Sequence, residues 1–121
     1  MATTGRHVIV DVWGVNNEYL DNENYILNVL EMCARSTGAT ILHSWSHKFE
    51  PQGVTALVGL AESHASIHTH PELQYYSADI FTCGDIDPRK GMASLVQTLG
   101  GRAQGWFIER GGTRTPLAFV A

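Results

Sequence analysis

The most chemically suggestive residues of this chain lie in one segment, residues 61–72. Its twelve residues include three histidines, two serines, one threonine and two glutamates. Ser63 follows Glu62, so its hydroxyl could attack the carbonyl carbon of the residue before it. A serine needs a base or strained geometry to act as a nucleophile, and histidine has a pKa suited to a base near neutral pH. The candidate bases are His64, His68 and His70.

Attack of Ser63 on the Glu62 carbonyl would turn the peptide bond between them into an ester, by an N-to-O acyl shift. Elimination across the Cα and Cβ atoms of Ser63 would then break the ester and leave a dehydroalanine, which hydrolyses to a pyruvoyl group. The segment therefore suggests that the chain cuts itself into residues 1–62 and 63–121 and makes its own cofactor. On this dipeptide alone, an ordinary turn hydroxyl is the alternative interpretation of Ser63.

A metal site is a second possibility for the histidines. Alternate residues of a regular strand point to the same face, so the three histidines of the segment could lie side by side. Imidazole nitrogens are common metal ligands. Two further histidines, His43 and His47, add candidate ligands from an earlier part of the chain.

The composition excludes several classes of protein. The 121 residues are 44% hydrophobic and 17% charged with a net charge of −4, which is typical of one globular domain without a nucleic-acid partner. The absence of a long apolar run argues against a membrane span, and the first residues lack the apolar core of a signal peptide. Cys33 and Cys83 are too far apart for a CxxC motif. We expect a cytoplasmic, reducing setting, and a core this small favours a dimer.

The elements that must position these residues follow from hydrophobic periodicity. Predicted strands cover residues 7–13, 39–46, 54–60, 65–69, 78–83 and 104–109. Predicted helices run from about residue 23 to Gly38 and from Pro88 to Gly100. Two helices cannot cover both faces of such a sheet, so we predict an α+β fold: a two-layer α/β sandwich with a mainly antiparallel sheet and both helices on one face. The other face is left to solvent or to a partner chain.

Four motifs give the sequence a family resemblance. Residues 61–64 (AESH), 67–69 (IHT), 71–72 (PE) and 79–84 (DIFTCG) resemble the short, single-domain S-adenosylmethionine decarboxylase proenzymes of bacteria and archaea. The segments at residues 5–7, 36–40 and 47–54 match as well. The resemblance runs from about Gly5 to Gly111, and this combination of motifs in this order is highly specific.

The resemblance implies a pyruvoyl-dependent carboxy-lyase of polyamine (spermidine) biosynthesis that works as a homodimer. The pyruvoyl carbonyl would form a Schiff base with the substrate amine and act as an electron sink, as pyridoxal phosphate does elsewhere. In such an enzyme the peptide bond between Glu62 and Ser63 is cleaved, and Ser63 becomes the pyruvoyl group. The implied processing residues are His68 and Thr55, and the implied proton donor is Cys83. The implied substrate-binding residues are Phe49, His70 and Glu72. No metal is expected, because the resemblance accounts for His68 without one.

One departure from the family concerns the substrate. The family has a tryptophan where this chain has His70, and a histidine offers a smaller ring for stacking. Processing residues match while this binding residue does not. Two alternatives to S-adenosylmethionine decarboxylation therefore stay open: an ornithine or arginine decarboxylase of the same superfamily, and an unprocessed relative that only binds a ligand or partner. Trp13, Trp45 and Trp106 are interpreted as packing residues.

Overall fold

The polypeptide forms one six-stranded sheet with helices on a single face, as seen in a computed structural model that describes residues 4–112. The strand order is β2-β3-β4-β5-β1-β6, and every pair of neighbouring strands is antiparallel. The strands are β1 (Gly5–Trp13), β2 (Ile41–Lys48), β3 (Val54–Leu60), β4 (Ser63–His70), β5 (Tyr75–Cys83) and β6 (Arg102–Arg110). The helices are α1 (Asn17–Leu20), α2 (Glu23–Ser36) and α3 (Pro88–Leu99), with a 3-10 turn at Pro71–Leu73.

The two long helices begin close to where the sequence predicts, and each start is capped by a side chain. Asn22 accepts a hydrogen bond from the Tyr25 backbone N–H at the start of α2. Asp87 does the same for Arg89 at the start of α3, where Pro88 occupies the first position. Gly91 allows α3 to approach α2 closely, since a Cβ atom there would lie 2.8 Å from the Cys33 carbonyl oxygen.

The core lies between the helices and one face of the sheet. It is filled by alternate residues of the strands and by the apolar stripes of α2 and α3. Its fully buried members include Val12, Leu30, Ile67, Ile80 and Leu95. The opposite side of the sheet, which we call the open face, carries no helix in the described part of the chain. It bears the other set of alternating residues, among them His7, Asp11, Thr55, His64, His68, His70, Tyr75, Asp79 and Cys83.

These observations confirm the predicted α+β sandwich and its mainly antiparallel sheet. The structure adds the short helix α1 and the 3-10 turn, which have too few residues to give a periodic signal. Four strands, β1, β4, β5 and β6, are also longer than predicted, and β4 begins at Ser63 itself. Among residues 4–112, no helix is long and apolar enough to cross a membrane. Residues 1–3 and 113–121 of the predicted single domain lie outside the described residues.

Candidate active site

The bond predicted to break lies in a tight turn between β3 and β4. Glu62, in this turn, has a φ of +60°, in the left-handed region that costs a residue with a side chain roughly 1–2 kcal/mol. The Cys83 thiol donates to the Glu62 carbonyl oxygen at 2.9 Å, and the Cys83 backbone N–H donates to the Ser63 Oγ at 3.2 Å. Cys83 thus holds both the carbonyl and the hydroxyl that self-cleavage would bring together.

Cys83 reaches this turn because of the pairing between β4 and β5. The register pairs His64 with Phe81, and continuing it by two residues places Cys83 opposite Glu62. A backbone conformation strained at one residue is kept only where its surroundings hold it. Here the hairpin on one side and the hydrogen bonds of Cys83 on the other supply that restraint.

The other predicted site residues line a cavity of about 470 Å³ near the far end of β4. Thr55 and His68 face each other across β3 and β4, with 3.2 Å between the Thr55 Oγ1 and the His68 Nδ1. His70 and Glu72 follow, with 3.7 Å between the His70 Nδ1 and a Glu72 carboxylate oxygen. The predicted residues in the cavity wall are Phe49, Thr55, His68, His70 and Glu72, and they are joined by Gln52, Gly53, Thr69 and Ser77.

The position of Phe49 in this wall depends on the loop between β2 and β3. The Phe49 backbone N–H donates to the Gly53 carbonyl at 2.8 Å, and the Gly53 N–H donates to a carboxylate oxygen of Asp21 at 2.8 Å. The bond from Gly53 is the main reason that the pKa of Asp21 lies below its usual value, with a smaller contribution from Lys48. Asp21 therefore connects the corner before α2 to the loop that carries Phe49.

The predicted site residues form two groups rather than one. Ser63 and His68 are five residues apart on the same uninterrupted strand, which corresponds to about 17 Å at the usual rise per residue. Glu62, Ser63 and Cys83 meet at the turn, and none of them lines the cavity. Within one chain, neither His68 nor His70 lies close to Ser63, because β4 is fully extended between these residues.

A third group of residues was missed at the level of sequence. The Asp79 carboxylate on the open face accepts hydrogen bonds from the His7 Nε2 at 2.6 Å, from the His64 Nε2 at 3.0 Å and from the Ser66 hydroxyl. Burial alone would raise the pKa of Asp79, but these three hydrogen bonds outweigh it and lower the pKa. The residues come from β1, β4 and β5, so only the strand register, which periodicity does not give, could have predicted them.

This group has the residue types of a metal site, and its possible ligand atoms lie within 4.8 Å of one another. A hydrogen bond from Arg110 to the His7 Nδ1, at 3.0 Å, identifies another role. Arginine can only donate, so the His7 Nδ1 accepts and the proton sits on Nε2, where it faces Asp79. The carboxylate is therefore satisfied by hydrogen bonds that tie three strands together next to Phe81.

Comparison with known proteins agrees with the motifs. The family described as "S-adenosylmethionine decarboxylase" matches residues 6–108. Two relatives are named "S-adenosylmethionine decarboxylase proenzyme". The one from Methanococcus maripaludis strain C5 is 46% identical over 85 residues, 70% of this chain and 70% of the relative. The one from Thermosipho melanesiensis is 43% identical over 100 residues, 82% of this chain and 77% of the relative.

A solved structure has the same fold. The crystal structure of the adenosylmethionine decarboxylase from Aquifex aeolicus VF5 superposes with a TM-score of 0.87 at 30% sequence identity. The match covers 98% of this chain and 100% of that one. The resemblance inferred from the motifs is thereby confirmed.

Proposed function

The chain belongs to the S-adenosylmethionine decarboxylase family, and we propose that it is a proenzyme that cleaves itself between Glu62 and Ser63 and then decarboxylates S-adenosylmethionine. The single observation that carries the self-cleavage is the turn in which Glu62 has a φ of +60° while Cys83 contacts both reacting groups. Relief of backbone strain and fixed geometry both favour an acyl shift.

In the proposed cleavage the Ser63 Oγ attacks the Glu62 carbonyl carbon, the peptide C–N bond breaks, and the hydroxyl proton passes to the released amine. A base then removes the Ser63 Cα proton, and the Cβ–O bond breaks to release Glu62 as a carboxylate. The remaining dehydroalanine takes up water and loses ammonia, which leaves a pyruvoyl group on the chain that begins at residue 63. When present, this group supplies an electrophilic carbonyl for the substrate amine and an electron sink for decarboxylation.

Cys83 has two roles in this proposal. Before cleavage its thiol donates to the Glu62 carbonyl oxygen, which becomes negatively charged when Ser63 attacks. A donor aimed at developing charge stabilises that step. After cleavage the same thiol lies beside residue 63, where it can return a proton to the product carbon.

A second copy of the chain would bring His68 to Ser63. The open face exposes large apolar side chains, including Trp45 at 46%, Leu57 at 43% and Trp106 at 50%, and such a patch favours association. Two sheets stacked face to face lie about 10 Å apart. A two-fold axis near residues 65–66 would place Ser63 of each copy opposite His68 and Thr55 of the other. We therefore propose a homodimer in which each active site uses residues of both copies.

The cavity is suited to a nucleoside that carries a positive charge. It has the aromatic ring of Phe49 and the imidazole of His70 for a base, and the Glu72 carboxylate for a sugar hydroxyl or a cation. The family membership supports S-adenosylmethionine as the substrate and the aminopropyl donor of spermidine synthesis as the product. Ornithine and arginine are the substrates to test against it, because His70 replaces the family's tryptophan.

The experiment follows both steps in one preparation. Intact mass of the purified protein should give fragments 1–62 and 63–121, the second with pyruvate in place of its free amine. Release of carbon dioxide is then measured separately with S-adenosylmethionine, ornithine and arginine, and we expect turnover of the first alone. Ser63→Ala should stay whole and inactive, whereas Ser66→Ala, a matched serine of β4, should still cleave. A whole wild-type chain would refute the proenzyme, and turnover of ornithine or arginine alone would refute the substrate.

A further inference from the structure

Three rings lie side by side on the open face, one from each of three adjacent strands. The register pairs Trp13 of β1 with Tyr75 of β5, and Tyr75 with His70 of β4. The ring centroids of Tyr75 and His70 are 5.5 Å apart at an interplanar angle of 25°, and those of Trp13 and Tyr75 are 5.6 Å apart at 34°. The first pair is stacked and the second is tilted, and aromatic ring pairs of this kind contribute beyond simple burial. Tyr75 is the middle ring of the row.

Tyr75 is also held by a hydrogen bond. Its hydroxyl donates to a carboxylate oxygen of Asp11 at 2.5 Å, which is typical of a short O–H donor to a charged acceptor. Burial, and then this bond to Asp11, raise the pKa of Tyr75, so the phenol stays protonated and continues to donate. Trp13 on one side and Asp11 at the hydroxyl therefore fix the ring of Tyr75.

His70 has much less support of its own. It is the last residue of β4, its side chain is 47% exposed, and its Nδ1 lies 3.7 Å from the nearest Glu72 oxygen. That distance is longer than a hydrogen bond. Among residues 4–112, the stack on Tyr75 is the ring contact that restricts how the imidazole can turn. Tyr75 itself does not line the cavity, so it can act on a ligand only through His70.

We propose that Tyr75, anchored by Asp11, is a positioning residue that sets the ring plane of His70 and so prepares the cavity for a flat heterocyclic base. The inference rests on the proposed function in one respect, that the base is the adenine of the substrate. Loss of a stacked ring pair removes about 0.5–1.5 kcal/mol. That range corresponds to a weakening of binding by about 2- to 12-fold.

Three variants separate the contributions. Tyr75→Leu removes the ring, while Tyr75→Phe keeps the ring and removes the hydroxyl. Asp11→Asn keeps the shape and weakens the anchor. The matched control is Tyr19→Leu, because the ring of Tyr19 also packs against a neighbouring ring, that of Tyr25, but Tyr19 lies on α1 and does not line the cavity.

The first readout is the NMR shift of the His70 ring protons, which the neighbouring ring current displaces. We expect Tyr75→Leu to move these protons toward their free-histidine positions and Tyr75→Phe and Asp11→Asn to move them less. The second readout is binding of adenosine and the KM for S-adenosylmethionine. We expect Tyr75→Leu to weaken adenosine binding and to raise the KM, each by about 2- to 12-fold. The rate of self-cleavage and kcat should stay within about twofold of the parent.

The outcomes distinguish this inference from the proposed function. Unchanged His70 shifts and an unchanged KM in Tyr75→Leu would overturn it, as would an equal fall of kcat in Tyr75→Leu and in Tyr19→Leu. If Tyr75→Leu does not fold, unchanged His70 shifts in both Tyr75→Phe and Asp11→Asn decide against it. A parent chain that fails to cleave or to use S-adenosylmethionine refutes the proposed function instead, while the shifts and adenosine binding still test the role of Tyr75.

Discussion

The two ends of β4 are built in different ways. At its beginning, the conformation of the Glu62–Ser63 bond is set by the backbone. It lies in a two-residue turn where Glu62 has a left-handed φ, and the strand register places Cys83 next to it. At its other end, His70 and its neighbours are held by side chains, through ring contacts and through the loop that Asp21 fixes. In our proposal, bond cleavage thus depends on few positions that must be correct, whereas ligand binding depends on many positions that each contribute modestly.

The largest expected effect follows from removing the base at the cavity end. His68→Ala should slow self-cleavage by about 10²- to 10⁴-fold, the usual contribution of a positioned acid or base. Thr55→Val, which keeps the shape and removes the hydrogen bond to His68, should slow it by only about fivefold, or roughly 1 kcal/mol. Time courses by gel or intact mass measure both. Cleavage of His68→Ala at the parent rate would show that the turn needs nothing from the cavity end.

A smaller effect is expected at the turn itself. Cys83→Ala should slow cleavage by about tenfold, because a thiol is a weaker donor than the groups that supply 10²- to 10³-fold in an oxyanion hole. The fragments that do form should have little turnover, because the proton donor is gone. Separate measurement of cleavage and of carbon dioxide release tests the two roles. Normal turnover by the cleaved variant would remove the proton-donor role, and an unchanged cleavage rate would remove the other.

Exchange of His70 for a larger ring should affect only the cavity end. His70→Trp restores the family residue, so the KM for S-adenosylmethionine should fall by about 2- to 12-fold while the rate of self-cleavage stays the same. Leu73→Trp, which adds a tryptophan on the exposed 3-10 turn, is the control. A KM that rises in His70→Trp would indicate that the cavity is shaped for a smaller group than adenine.

The smallest effect concerns the hydrogen-bonded Asp79 between the two ends. Its folded pKa is lowered, so its contribution to stability is complete above the unfolded value of about 4 and is lost as the pH falls through the folded pKa. The thermal midpoint of the parent should therefore fall as the pH is lowered from about 5 to 3, and less steeply in Asp79→Asn. Calorimetry over this range measures it. Identical slopes in the two proteins would contradict the assigned network.

The sequence predicted those features that depend on local pattern. The hydrophobic periodicity of the strands and helices led to the α+β sandwich, and the motifs around Ser63 led to the family. The separation of Ser63 from His68 could not be predicted, because it depends on β4 continuing without a break. The hydrogen bonds of Asp79 depend on the pairing of β1, β4 and β5, which are distant in sequence.

Residue type was also a poor guide to which side chains are buried within one chain. Trp13, Trp45 and Trp106 were interpreted as packing residues, but the structure places them on the open face with 39%, 46% and 50% of their surface exposed. A large apolar side chain indicates that burial is favourable without indicating what provides it. In our proposal the second copy of the chain covers this face.

The central claim is that the two ends of β4 act on each other between copies. Ser63→Ala and His68→Ala chains with different tags are produced together, and pairs that carry both tags are isolated and analysed by intact mass. We predict that the His68→Ala chain in these pairs is cut between residues 62 and 63, although each variant alone stays whole over the same period. Mixed pairs in which the His68→Ala chain stays whole, or chains that form no pairs at all, would contradict the account.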